Sequence, residues 1–378
     1  MKGFAAALAA FVALLAGTGA QAAPVVKGPV YAWGSNTYGQ LSFAGSSTAT
    51  PTKLTGIGQA IAVAAGQRHS LVVSRNGTVW AFGDNRDGQL GTGDTTPSQA
   101  PVRVAGLNGA VAVAAGWDHS LAVLSDGTVW AWGGNYAGQL GNGTTTPSLV
   151  PVQVPGIAGA VAVAANVDQS YALGADGTVW AWGGNNWGQV GDGTTTNALS
   201  PVAVLSGAVA VSAGEAHALA VRADGTVWGW GGDFSFQLGY TPDPTDPHPA
   251  RLTPAPVDGI SGAVAVAAGY DHSLAVLADG SVLAWGDDTN GELGLGRNND
   301  FVPTPTPVPG LTNIVAAAAG YNDSLVLGAK GHAWGFGTDY YGELGNGYPS
   351  DIEYDSPVEV AVHGLSGIAA GELHTLGF

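Results

Sequence analysis

The chain is 378 residues long, has no cysteine, and carries a formal charge of −17 although only 10% of its residues are charged. A disulfide framework and a lipid-bearing cysteine are therefore both excluded. With 11 Lys and Arg against 28 Asp and Glu, the chain also lacks the clustered positive charge that nucleic acid and anionic membranes demand of a partner.

The chain opens on Met1-Lys2-Gly3 and a small apolar run from Phe4 to Ala16, followed by Gly17-Thr18-Gly19-Ala20-Gln21-Ala22-Ala23. One positive charge, about a dozen apolar residues and a small-x-small site predict a secretory signal peptide over residues 1–23, cleaved after Ala22 or Ala23. The run falls short of the roughly 20 apolar residues that cross a bilayer. No membrane insertion is expected after cleavage, and the mature chain is expected in the periplasm or the medium.

Residues 24–378 are expected to form one domain, because an internal repeat overrides the division that length alone suggests. An apolar-aromatic-Gly step recurs at Trp33-Gly34, Phe82-Gly83, Trp132-Gly133, Trp182-Gly183, Trp230-Gly231, Trp285-Gly286 and Phe336-Gly337, at intervals of 48 to 55 residues. That period, with short strands and turn residues, predicts an all-β, seven-bladed β-propeller of four-stranded antiparallel blades.

The unit from Val111 to Gly156 shows the expected parts. Val111–Ala115 is small and apolar throughout, as an inner strand crowded near an axis must be. Gly116 lets the chain turn, and His119–Leu124 and Thr128–Trp132 follow as strands joined by the hairpin signal Asp126-Gly127. A Gly-rich loop, 134–143, leads to an outer strand at Pro151–Val154, where a proline at the strand's start sacrifices no ladder bond. Tyr31, Trp80, Trp130, Trp180, Trp228, Leu283 and Trp334, with the aromatic two residues after each, form a ladder of large side chains expected to fill the spaces between blades.

The ends of the chain predict ring closure. The mature chain starts with a third strand, Val30–Trp33, and stops after a first and second, Ile368–Gly371 and His374–Phe378. Pairing of the N- and C-terminal strands completes one blade and removes the open sheet edge.

The recurring string Ala-Gly-x-x-His-Ser-Leu-Ala-Val-x-x-Asp-Gly-Thr-Val-Trp-Ala-Trp-Gly-x-Asn-x-x-Gly-Gln-Leu-Gly, matched almost throughout by residues 114–141, resembles the RCC1 repeat, and the resemblance covers nearly the whole mature chain. It implies the propeller fold. The nuclear eukaryotic member of that family is a guanine-nucleotide exchange factor that also binds chromatin; its exchange activity depends on an inserted wedge, for which this sequence shows no clear counterpart. The Pro-rich insertion 240–250 resembles a stiff surface loop. Secreted bacterial proteins with similar propellers include an inhibitor that caps β-lactamases, and this chain resembles that secreted bacterial type.

Candidate binding residues are those that vary inside the fixed repeat: the pairs Gln67-Arg68, Trp117-Asp118, Val167-Asp168, Glu215-Ala216, Tyr270-Asp271, Tyr321-Asn322 and Glu372-Leu373. They are expected to be the most exposed variable residues and to circle one mouth of the channel. Aromatics beside carboxylates on a rim suit a protein partner. Arg68, Trp117, Asp118, Asp168, Glu215, Tyr270, Asp271, Tyr321, Asn322 and Glu372 are the expected contact set.

His69, His119, His217, His272 and His374 share one repeat position, with Gln169 and Asp323 in the remaining blades. Rotation places them about a blade apart, too far for the bonds of about 2 Å that a shared zinc needs, so structural hydrogen bonds are expected of them. The acidic loops at Asp287–Glu292 and Asp84–Gly88 lack the bidentate acid of a calcium loop. No cofactor, metal or catalytic residue is expected, and no Gly-x-Ser-x-Gly elbow or Walker loop occurs. The chain is expected to be a monomeric, exported, non-enzymatic scaffold for another protein, with a hydrolase or lyase using channel carboxylates, or an exchange-factor-like regulator, as alternatives.

Overall fold

The computed structural model describes residues 27–240, 250–297, 300–348 and 352–378. The expected leader, residues 1–23, lies outside the described residues, and so does most of the Pro-rich insertion, 241–249. The described residues form seven separate four-stranded antiparallel sheets and no helix.

In blade 3 the strands are Ala110–Ala115, His119–Leu124, Val129–Gly133 and Ser148–Gln153, from the axis outward. Blades 2, 4, 5, 6 and 7 repeat this order over residues 60–103, 160–205, 208–256, 263–307 and 314–359. Blade 1 closes the ring: Ile368–Ala370 and His374–Gly377 pair with Tyr31–Ser35, which in turn pairs with Ser47–Lys53. The N- and C-terminal strands thus share one sheet, and the ring has no open edge there.

Each aromatic ladder fills the seam behind its own blade. Trp132 is fully buried against Leu90, Val104 and Leu107 of blade 2, with Trp130 half-buried beside it. Trp182 and Trp230 repeat this packing in the next seams. A buried Trp removes about 200 Å² from water, up to about 5 kcal/mol at roughly 25 cal/mol per Å², so the seams contribute much of the stability.

The outer strands depart from expectation. In blade 3 the strand starts at Ser148 rather than Pro151, and the register slips between Ser148 and Val152. The proline therefore sits inside the strand, where a bulge on an unpaired edge absorbs its missing N–H.

A polar relay ties each blade to the next. His69 Nε2 meets Ser120 Oγ of the following blade at 2.9 Å, and Ser120 Oγ donates to the Gln89 carbonyl at 2.8 Å, which also accepts from Trp132 Nε1 at 2.8 Å. Because the serine hydrogen is committed to the carbonyl, His69 must carry its proton on Nε2. His119, His217, His272 and His374 make the same contact to Ser170, Ser273, Ser324 and Ser70 at 2.8–3.0 Å.

Burial pushes all five imidazoles down to about 3, keeping them neutral. Gly116 is required by the same ring, since a Cβ there would stand 2.2 Å from His119 Cε1. Blade 5 carries Ala218 at the serine position, and Gln169 instead donates to the Glu215 carbonyl at 2.7 Å.

Candidate functional site

In an antiparallel four-stranded blade the first and third connections leave one end of the sheet, and the second leaves the other. The variable pairs therefore share a face with the Gly-rich loops. That face has three concentric zones.

At the centre is a channel of about 140 Å³ walled by the alanines of the inner strands, with Trp117, Tyr270, Tyr321, Gln67 and Glu372 at its end. Small inner-strand side chains leave this bore open, and the first members of the pairs close over it. Their backbones join blade to blade: Gln67 N donates to Gly116 O, Tyr270 N to Gly320 O and Glu372 N to Gly66 O, at 3.2–3.3 Å. Tyr270 and Tyr321 pack against each other with ring centroids 4.0 Å apart and planes tilted by 41°. Burial and hydrogen bonds to Glu215 and Tyr321 raise the Tyr270 hydroxyl above its usual range.

The second members of the pairs form the middle zone, turned away from the channel. Their carbonyls accept from the start of the Gly-rich loop, as Asp118 O does from Gly134 N at 2.7 Å and Asp271 O from Asp287 N at 3.0 Å. Two carboxylates bridge to the preceding blade's glutamine: Gln139 Nε2 donates to Asp168 Oδ1 at 2.9 Å and Gln237 Nε2 to Asp271 Oδ1 at 2.7 Å.

These contacts correct the expected exposure of the pairs. Every member is half-buried except Ala216, which is buried, so the pair of blade 5 presents only Glu215. The loop beside each pair covers the second residue, which spacing along the chain does not reveal. Arg68 lies over the Tyr38 ring at 4.6 Å, and Asn322 passes its carbonyl to Thr338 N at 2.8 Å.

Crowding shapes the electrostatics. Burial, then Asp87 and Asp168, push Asp118 up to about 6, with Arg68 opposing. Burial, then Glu215 and Asp287, push Asp271 up to about 7. Burial also raises Asp168, Glu215 and Glu372.

The outer zone was not anticipated. Just after the Asn or Asp that opens the Gly-rich loops stand Tyr38, Tyr136, Trp187, Phe234, Tyr340 and Tyr341. Tyr136 is 67% exposed, and Trp187 and Phe234 are exposed as well, packed edge to face at 4.8 Å. Tyr136 donates to Asp87 Oδ1 at 2.8 Å.

The loop is rigid because Asn135 organises it, accepting from Leu140 N and donating to the Thr144 and Thr146 carbonyls at 2.9–3.0 Å. These aromatics are variable positions inside a fixed repeat, so the rule that selected the pairs selects them too. The acidic loops are held by the same turn geometry: Asp288 accepts from Leu293 N at 3.0 Å, and Glu292 from Asn290 N at 2.7 Å.

Comparisons with known proteins agree with this architecture. The RCC1-like domain matches residues 144–378, and the regulator of chromosome condensation (RCC1) repeat matches residues 27–73 and 76–123. The RCC2 homolog of Xenopus laevis is 38% identical over 106 residues, 27% of this chain and 20% of that protein. Human RCC2 is 38% identical over 98 residues, 25% of this chain and 18% of that protein. The matched segments thus span about a fifth of these relatives.

Among solved structures, Prp20p of Saccharomyces cerevisiae superposes with a TM-score of 0.82 at 22% identity, covering 92% of this chain and 90% of that one. At such identity the likeness speaks for the fold alone. With the RCC1-like domain matched over more than half of its length, the chain belongs to the RCC1-repeat family of β-propellers.

Proposed function

We propose that the chain is an exported scaffold of the secreted bacterial type that binds a basic surface of another protein through the three-zone face. The observation that carries this reading is the concentration, on one end of the ring, of exposed aromatics around carboxylates whose protonation is already favoured by burial and, for Asp118 and Asp271, by crowding with other carboxylates. An arriving Lys or Arg relieves that crowding, so binding and carboxylate ionisation reinforce each other. Aromatic anchors in a partly desolvated surround are the usual make-up of a hot spot. Prp20p, the yeast relative of similar fold, is described by its binding to Gsp1p and histones, and a protein partner is the element of that description we extend to this chain.

The test is capture from the source cell's envelope and culture fluid, with two triple variants as controls. Replacing Tyr136, Trp187 and Phe234 by Ala should abolish capture and lower the melting temperature only slightly, because these side chains lie outside the seams between blades. Replacing Trp117, Tyr270 and Tyr321 by Ala should also abolish it. The captured complex should tighten as pH rises from about 5 to about 8, as Asp118 and Asp271 ionise. Retention of the partner by both variants would place the site elsewhere.

A further inference from the structure

The rim opposite the aromatic face carries a different chemistry. In blade 7, His332 follows the hairpin turn Lys330-Gly331, Glu359 ends the outer strand opposite Trp334, and His363 precedes Gly364 in the connection to blade 1. His332 Nδ1 lies 2.7 Å from Glu359 Oε1, and His363 Nδ1 lies 3.8 Å from the same oxygen. One ligand atom from each of the three residues falls within 4.8 Å of the others. The two imidazoles stand 4.5 Å apart at 38°, and the Trp334 indole lies nearly parallel to His332 at 6.3 Å, 24° between planes.

This corner exists in other blades with other residues. In blade 2, Thr78 follows the turn, Arg103 pairs with Trp80, and Asn108 precedes Gly109, which packs on the turn glycine Gly77 as Gly364 packs on Gly331. There Arg103 Nη2 donates to Asn108 Oδ1 at 2.6 Å. The corresponding residues of blade 5 are Thr226, Pro256 and Ser261, and those of blade 6 are Ser281, Pro307 and Thr312. A turn hydroxyl, a strand end and a loop residue that elsewhere serve only local structure are all exchanged, in this one blade, for side chains that ligate metals.

We propose that His332, Glu359 and His363 bind a single divalent transition-metal ion of the zinc type. Two imidazoles and one carboxylate are a donor set that zinc takes in three-ligand sites, leaving a further position to water. Ligand atoms around a tetrahedral zinc lie about 3.4 Å apart, given bonds of about 2.1 Å. The separations here bracket that spacing, and the side chains are 44%, 49% and 59% exposed. Small rotations of mobile side chains close the site without moving a strand. The hard cations magnesium and calcium, which prefer all-oxygen shells, are disfavoured by the imidazoles. The site is independent of the protein-binding face, and the sequence-based expectation of no metal weighed only the repeat-position histidines and the acidic loops at Asp287–Glu292 and Asp84–Gly88.

The test uses untagged protein freed of metal with a chelator and titrated with zinc, with cobalt(II) as the spectroscopic probe. One equivalent should bind, and cobalt should give the visible bands of a four-coordinate site. His363→Ala and Glu359→Gln should each weaken zinc binding by at least tenfold at an unchanged metal-free melting temperature. His332→Thr combined with Glu359→Arg and His363→Asn installs the residues of blade 2, so it preserves the fold and should remove the site altogether. Zinc binding of undiminished affinity in that triple variant, or less than half an equivalent bound by the wild type at micromolar free zinc, overturns the proposal.

Discussion

Replacing Glu343 by Gln should stabilise the protein at alkaline pH and leave it unchanged at acid pH. Glu343 occupies the position filled by Gln40, Gln89, Gln139, Gln189 and Gln237 in five other blades. It sits at the closing seam, where its carbonyl accepts from Trp33 Nε1 at 2.7 Å and from Thr375 Oγ1 at 3.1 Å. Its side chain is 1% exposed; Oε2 accepts from Tyr341 N at 2.8 Å, while Oε1 has no partner.

Burial pushes this carboxyl from 4.5 up to about 7. A folded-state value above the unfolded one contributes stability that is complete below about 4.5 and lost as pH rises through about 7. The rise corresponds to about 3 kcal/mol at most above that window. An amide avoids the ionisation, and its N–H at the orphaned position replaces the equally unpaired O–H of the neutral acid, so that cost is common to both. Gln89 Nε2 is likewise unpartnered, so the fold tolerates that arrangement. The net gain expected from Glu343→Gln near pH 8 is therefore about 3 kcal/mol at most, with none near pH 4, where neutral acid and amide are close in shape and charge. Urea unfolding of both proteins at the two pH values measures it. An equal gain at both, or a loss near pH 8, refutes an origin in buried charge.

The same reasoning predicts the pH profile of the whole ring. Asp233, Asp271, Glu292 and Glu343, raised to about 7 chiefly by burial, and Asp118, raised to about 6, favour folding increasingly as pH falls to about 4. The five buried histidines, lowered to about 3, contribute stability that is complete above 6.5 and lost as pH falls towards 3. The urea midpoint should therefore pass through a shallow maximum between about pH 4.5 and 6.5 and drop steeply below about 4; a maximum at pH 8 or above would contradict the buried carboxyls. Deleting residues 366–378 removes both inner strands of blade 1 and leaves Tyr31–Ser35 without its inner partner. Cooperative unfolding should disappear from the urea transition, and a truncated chain that melts at the full-length temperature would contradict closure of the ring.

The ring itself was readable from the chain because the blades repeat one pattern: a small apolar inner strand, a hairpin signal such as Asp126-Gly127, a ladder of large, mostly aromatic side chains and a loop anchored by Asn or Asp. Seven statements of one pattern leave little freedom, and the split repeat at the two ends implies closure by strand pairing. Repetition also indicates where to look for a site, since it isolates the variable pairs. It does not say which way a side chain points.

Tertiary packing decided that Trp117, Tyr270 and Tyr321 close over the axis while Asp168 and Asp271 turn to the neighbouring blade. The deciding contacts, such as Gln139 to Asp168, come from blades adjacent in space and 29 residues apart in the chain. The loop aromatics were visible as letters, and only the shared end of the sheets assembled them into one surface with the pairs. His332 and Glu359 are 27 residues apart, and no period links them. They meet because strand register sets Glu359 against Trp334 and the next connection folds back over the turn, a coincidence of position that sequence spacing cannot express and a closed sheet enforces.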